Sequence, residues 1–272
     1  MGDERVLIEH DGHIAHVVLN RPDKRNAIDQ AMFAELREAA RALADDRSVW
    51  AVVLSGSGNT FSSGLDMSNF AAMGRGEVKG DAATRAAGQL SEGGAAAFQQ
   101  VAWLWHEMPA PVIAAVEGHA LGGGFHIALG ADLRVIAPDA QIGFVEITWG
   151  LIPDMSGTQG LRRLVPLDVA KRLILTGEVI SGREAVELGL GTMLAEEPVK
   201  AAFELAEKIT ARNPDAVRVA KRLLNQSGVV SPADGLANEV AASASLIGIP
   251  NQMEAVMARL EKRAPEFDDP SL

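Results

Sequence analysis

Short apolar runs separated by polar turns fill the first half of the chain. Val6–Glu9 and Ile14–Leu19 flank Asp11-Gly12 and predict a β-hairpin, which Asn20-Arg21-Pro22-Asp23 closes as a loop. The spacing then changes from strand to helix. Phe33, Leu36, Ala40 and Leu43 recur on one face after Asp29, a residue suited to cap a helix N-terminus. Trp50–Leu54, Val112–Val116 and Leu133–Ala137 are near-continuous apolar runs, as expected of strands buried on both faces. This order predicts an α/β core. After Pro198 the pattern is helical throughout, over 199–212, 214–225, 232–247 and 250–262, with Pro at or near each start. Residues 71–97 break the regularity with Gly, Ala and scattered charges, and are expected to form a lid over a site, with an exposed helix pair as the alternative.

Composition narrows the function classes. The 272 residues carry 25 Lys+Arg against 36 Asp+Glu, a net charge of −11, which argues against general nucleic-acid binding. The chain has no Cys, so thiolate nucleophiles, disulfides and zinc–thiolate sites are excluded. Its acidic start lacks the apolar stretch of a signal peptide, and its longest uncharged run, 118–131, is too short to span a bilayer. A cytoplasmic enzyme with no membrane contact is expected. His10, His13 and His16 recur at threes, but in a strand context they do not converge, so no metal site is expected.

Two glycine-bearing turns carry the candidate chemistry. Phe61-Ser62-Ser63-Gly64-Leu65-Asp66 and His119-Ala120-Leu121-Gly122-Gly123-Gly124-Phe125-His126 each follow a predicted strand and open a helix. The first N–H groups of a helix lack internal partners, and glycine lets a substrate atom come close to them. Two such turns side by side could stabilise negative charge on a carbonyl oxygen. Neither turn matches a phosphate loop, because no Lys-Ser/Thr pair follows the glycines. His126 lies three residues beyond Gly123, on the same helix face; a satisfied core histidine is the alternative. Glu146 stands among apolar neighbours, where a carboxyl is pushed toward its protonated form and suits proton exchange; a salt-bridged structural Glu is the alternative. Asp154, eight residues later, is either a second carboxylate for the same pocket or a cap for a helix starting near Gly157.

Taken together, Leu19-Asn20-Arg21-Pro22, the stretch from Ala110 to Phe125, Leu175-Thr176-Gly177, Ala185 to Gly189, Asn213-Pro214 and Glu261-Lys262-Arg263 resemble the crotonase superfamily, the enoyl-CoA hydratase/isomerase family. The resemblance implies a spiral of strand–strand–helix repeats over residues 1–198 and a helical trimerisation region over 199–272, assembled as trimers or hexamers. It implies an acyl-CoA thioester substrate, with CoA as part of the substrate and no separate cofactor. The backbone N–H groups of Leu65 and Gly123 would form the oxyanion hole for a thioester enolate. Lys24 and Arg25 would lie along the CoA phosphates, and Lys262 would reach the nucleotide end from a neighbouring subunit.

Departures from the family pattern bear on the reaction. Hydratases of the family carry two glutamates twenty residues apart; here the later one is Glu146 and the earlier position holds His126. The loop that usually reads Ile-Pro-Gly-Ala-Gly-Gly-Thr is here Ile152-Pro153-Asp154-Met155-Ser156-Gly157-Thr158. A Glu/Asp pair eight residues apart resembles the dienoyl-CoA isomerases, although these usually carry Asp where His126 stands. Double-bond isomerisation by Glu146 and Asp154 is therefore the favoured expectation. Hydration by Glu146 and His126 is the alternative, and a non-catalytic acyl-CoA-binding subunit is a third reading. RNA binding, known for one branch of the family, is disfavoured by the acidic charge.

Overall fold

The computed structural model describes residues 4–77 and 89–272. Six strands form the main sheet: β1 (Val6–Asp11), β2 (Ile14–Leu19), β3 (Ala51–Gly56), β4 (Val112–Val116), β6 (Leu133–Ile136) and β9 (Met193–Leu194), in the order β1-β2-β3-β4-β6-β9. Only the predicted hairpin, β1 with β2, is antiparallel; every later pair is parallel. Parallel neighbours need helical crossovers, which leave both faces of the sheet covered. Alternate residues of β3 and β4 accordingly enter two different cores. Val52, Leu54, Val112, Ala114 and Val116 face the larger one, with α1 (Gln30–Asp45) and α3 (Gln100–Glu107). Ala51, Val53, Ile113 and Ala115 face the smaller one, against Ala202 and Ala206 of α8 (Pro198–Thr210). The helix that opens the 199–272 region thus packs on the sheet.

The caps and helices follow the sequence pattern closely. Asp29 caps α1 by accepting from Met32 N–H at 2.9 Å, and Met32, Leu36, Ala40 and Leu43 are buried, with Phe33 half-buried. The C-terminal helices are α8, α9 (Pro214–Gln226), α10 (Pro232–Leu246) and α11 (Pro250–Glu261).

A second sheet was not anticipated. β5 (His119–Leu121), β7 (Gln141–Gly143) and β8 (Val179–Ser181) pair in that order, so the glycine turn after β4 passes through a short strand before its helix α4 (Gly123–Gly130). The first turn opens α2 (Met67–Gly74), capped by Asp66. Of the expected lid, residues 71–74 end α2 and 89–97 form a loop leading to α3, while 78–88 lie outside the described residues. Ser156, in a left-handed conformation, precedes α5 (Gly157–Leu161), and no side chain caps that helix, so Asp154 is not its cap. Two further helices, α6 (Leu167–Thr176) and α7 (Gly182–Glu187), complete the order among the described residues. No described helix is long and apolar enough to cross a membrane.

Candidate active site

Gly64 and the segment leading into α4 come close because Gly64 carries no side chain at the contact. Gly64 has φ +89°, and a Cβ there would stand 2.5 Å from the Leu121 carbonyl oxygen and 3.7 Å from Gly123 N. Ile28 N–H donates to Gly64 O at 2.8 Å, and Asp66 N–H donates to Ile28 O at 3.1 Å. These two bonds occupy one edge of the extended segment and turn the Leu65 N–H toward the opposite edge. Gly123 is the first residue of α4, so its N–H has no intrahelical acceptor. The two sequence-predicted oxyanion donors therefore belong to adjoining segments.

Three residues to which sequence reasoning assigned no role hold this arrangement. Asn26 is fully buried; it accepts from Arg21 N–H at 2.8 Å and donates to Ser57 O at 2.9 Å and Thr60 O at 2.6 Å. Ser62 Oγ–H donates to Asn26 O at 2.8 Å. Arg21 forms an ion pair with Asp66, whose carboxyl is held down at about 2 by bonds from Ser68 and by the guanidinium. The loop bearing exposed Lys24 and Arg25 is thereby tied to the 61–65 turn, with Ser63 N–H donating to Arg25 O at 2.9 Å. An Asn in the polar stretch after a strand gives no sign of such a role, since the carbonyls it donates to are some thirty residues away.

Glu146 comes from a 3-10 turn, Val145–Trp149, and its Oε1 lies 2.9 Å from where a Cβ on Gly122 would be. Its side chain is only 13% exposed. Burial, with a smaller push from the Asp154 charge, raises its carboxyl to about 7. Asp154, half-buried, is thus within electrostatic reach of Glu146, on a loop held by Gln99 Nε2–H donating to Asp154 O at 3.2 Å. His126 Nε2 stands 3.4 Å from Glu146 Oε1. The pair is close but not aligned as a hydrogen bond, and neither ring nitrogen of His126 has a hydrogen-bond partner among the described residues. His126 is 1% exposed, with its Nε2 2.5 Å from where a Cβ on Gly157 would stand, and burial lowers it to about 3, so it is neutral at physiological pH.

The other candidates lie apart from this cluster. Lys262 ends α11 in a left-handed conformation and is exposed. His13 stacks on Trp50 with ring centroids 3.6 Å apart, whereas His16 Nε2 lies 2.8 Å from Ser55 Oγ. Among the described residues no group of three His, Cys, Asp or Glu could hold a metal ion.

Comparison with known proteins identifies the family. The family model for enoyl-CoA hydratase/isomerase matches residues 9–270. The human enoyl-CoA hydratase domain-containing protein 2, mitochondrial, is 37% identical over 97% of this chain and 88% of its own length. The short-chain-enoyl-CoA hydratase of Clostridium acetobutylicum is 34% identical over 96% of both chains. The crystal structure of an enoyl-CoA hydratase from Mycobacterium tuberculosis H37Rv superposes with a TM-score of 0.84 at 32% identity, covering 98% of this chain and 100% of that one. With its α/β crotonase fold and a family match over nearly its whole length, the chain belongs to the enoyl-CoA hydratase/isomerase family of acyl-CoA enzymes.

Proposed function

We propose that the protein moves a double bond within an enoyl- or dienoyl-CoA, using Glu146 and Asp154 as the proton carriers. The thioester oxygen is held by the N–H groups of Leu65 and Gly123, which stabilise the enolate formed when a proton leaves the acyl chain. One carboxylate takes that proton, and a protonated carboxyl returns one at another carbon, so the substrate gains and loses no atoms. A group near 7 is available in both states at neutral pH, which suits this exchange. The observation that carries the reading is the buried Glu146 carboxyl, raised to about 7, with Asp154 in electrostatic reach. CoA is part of the substrate, and Lys24 and Arg25 lie along its phosphates.

Hydration is the second reading, favoured by the hydratase names of the relatives and by the 3.4 Å approach of His126 to Glu146. Against it, a histidine lowered to about 3 is a weak base for activating water. Assaying Asp154→Asn and His126→Ala on a 3,5-dienoyl-CoA and a 2-enoyl-CoA separates the two. Isomerisation predicts that Asp154→Asn abolishes formation of the 2,4-dienoyl product, while His126→Ala weakens turnover only through packing. Hydration predicts that His126→Ala eliminates water addition and that Asp154→Asn is tolerated. Wild-type protein inert on both thioesters would favour a binding subunit. In this proposal residues 1–198 carry the site and 199–272 the trimer or hexamer contacts, with Lys262 reaching a neighbour's nucleotide.

A further inference from the structure

Met155 is a buried side chain that the reaction above does not use. Its Sδ and Cε lie 2.9 and 3.2 Å from the point where a Cβ on Gly123 would stand, and Ile28 Cδ1 lies 3.3 Å from the same point. Next to it, at Gly122, the corresponding point is 2.9 Å from Glu146 Oε1. The Glu146 carboxyl therefore stands against Gly122, and an apolar pair, Met155 and Ile28, stands against Gly123, whose N–H would hold the carbonyl. The backbone that presents Met155 is fixed. Pro153 is buried, Asp154 O accepts from Gln99, and Ser156 holds a left-handed φ of 63°. Gln99 is itself set by accepting from Ala96 N–H at 3.0 Å.

We propose that Met155 is a specificity-determining residue that narrows the space beside the thioester, so that acyl groups branched at the carbon next to the carbonyl are rejected. The inference rests on the acyl-CoA reading given above. Interiors are close-packed, and a thioether already against Gly123, with Ile28 close to the same point, leaves little room for an added methyl group. One methyl group misfitted in an apolar pocket typically changes selection by about 10- to 200-fold.

Saturated thioesters test this without turnover. Titration calorimetry of the wild-type protein with butyryl-CoA and 2-methylbutyryl-CoA should give a preference of roughly 10-fold or more for the linear ligand. Met155→Ala should shrink that preference by about 10-fold, with a smaller change in butyryl-CoA affinity. Met155→Val should act in the same direction, should Met155→Ala not fold. Equal binding of both thioesters by the wild type, or an unchanged ratio in a folded variant, overturns the assignment. Failure of the wild type to bind either thioester removes the acyl-CoA reading itself, and this inference with it.

Discussion

At the scale of single residues, the site pairs two groups whose protonation burial has moved in opposite directions. Glu146 is raised from 4.5 to about 7, and His126 is lowered from 6.5 to about 3, with burial the main cause for each. Between about 4.5 and 7 the unfolded chain has lost the Glu146 proton that the folded one keeps. Stability therefore falls as pH rises through that window, by a total of ~3 kcal/mol. For His126 the unfolded chain binds the extra proton below 6.5, so stability falls as pH drops from 6.5 toward 3. Over their shared range, from about 4.5 to 6.5, the two slopes oppose each other. In Glu146→Gln, of these two slopes only the histidine one remains. Urea midpoints of that variant should rise with pH from about 3 to 6.5 and exceed the wild type at pH 8. An unchanged difference between the two proteins from pH 4 to pH 8 would contradict the buried, protonated Glu146. The same substitution should lower turnover by roughly 100- to 10,000-fold, because the amide cannot exchange a proton. Both residues were legible from the sequence, Glu146 from its apolar neighbours and His126 from its spacing to Gly123. The contacts of Met155 and Asn26 were not, because they join segments far apart in the chain.

At the scale of elements, regular helices and buried strands were readable, and short or irregular pieces were not. Apolar spacing, an Asp29 cap and prolines at helix starts each act within a few residues, so α1 and α8 to α11 follow from local pattern. β5, β7 and β8 are three residues each, too short to show a period, and they exist because three distant segments pair. α4 connects the site to the core behind it. At its far end Gly130 packs on α3, where a Cβ would collide with the Ala102 carbonyl oxygen and stand 3.4 Å from Trp105 Cβ. A backbone oxygen cannot rotate away, so Gly130→Ala must shift one helix relative to the other. The expected cost is about 1–3 kcal/mol or more, read by urea unfolding. Turnover should fall as well, since the eight-residue helix, roughly 12 Å long, carries the shift toward Gly123. Unfolding and kinetics both matching the wild type would show that α4 does not position the oxyanion donor.

At the scale of the whole molecule, the C-terminal helices are anchored at one end and uncovered at the other. Lys221 of α9 reaches into the core, 2.6 Å from Asp132 and 3.0 Å from the Ala110 carbonyl oxygen. Asp215 accepts from the N–H groups of Ser271 and Leu272 at 2.6 and 2.9 Å, which ties down the last residues. Beyond these anchors, Leu236 and Val240 of α10 are exposed on one face, four residues apart. On α11, Met253, Val256, Met257 and Leu260 form an exposed apolar stripe at helical spacing. The sequence made these helices amphipathic but could not tell whether their apolar faces turn inward or toward a neighbour. In a single chain they stay in water, and contiguous apolar patches of this kind mark association surfaces. The expected assembly is a trimer or a multiple of it, so light scattering at micromolar concentration should report at least three chains of 28.7 kDa. Placing charge in the stripe with Met257→Glu and Leu260→Glu should give a monomer that keeps its helical circular dichroism, because α11 would then be solvated rather than buried. CoA binding should weaken in that monomer, since Lys262, next to the altered stripe, would have no neighbouring nucleotide to approach. A wild-type monomer at micromolar concentration would sink the trimer, and unchanged CoA affinity in the charged variant would remove Lys262 from the neighbour's site.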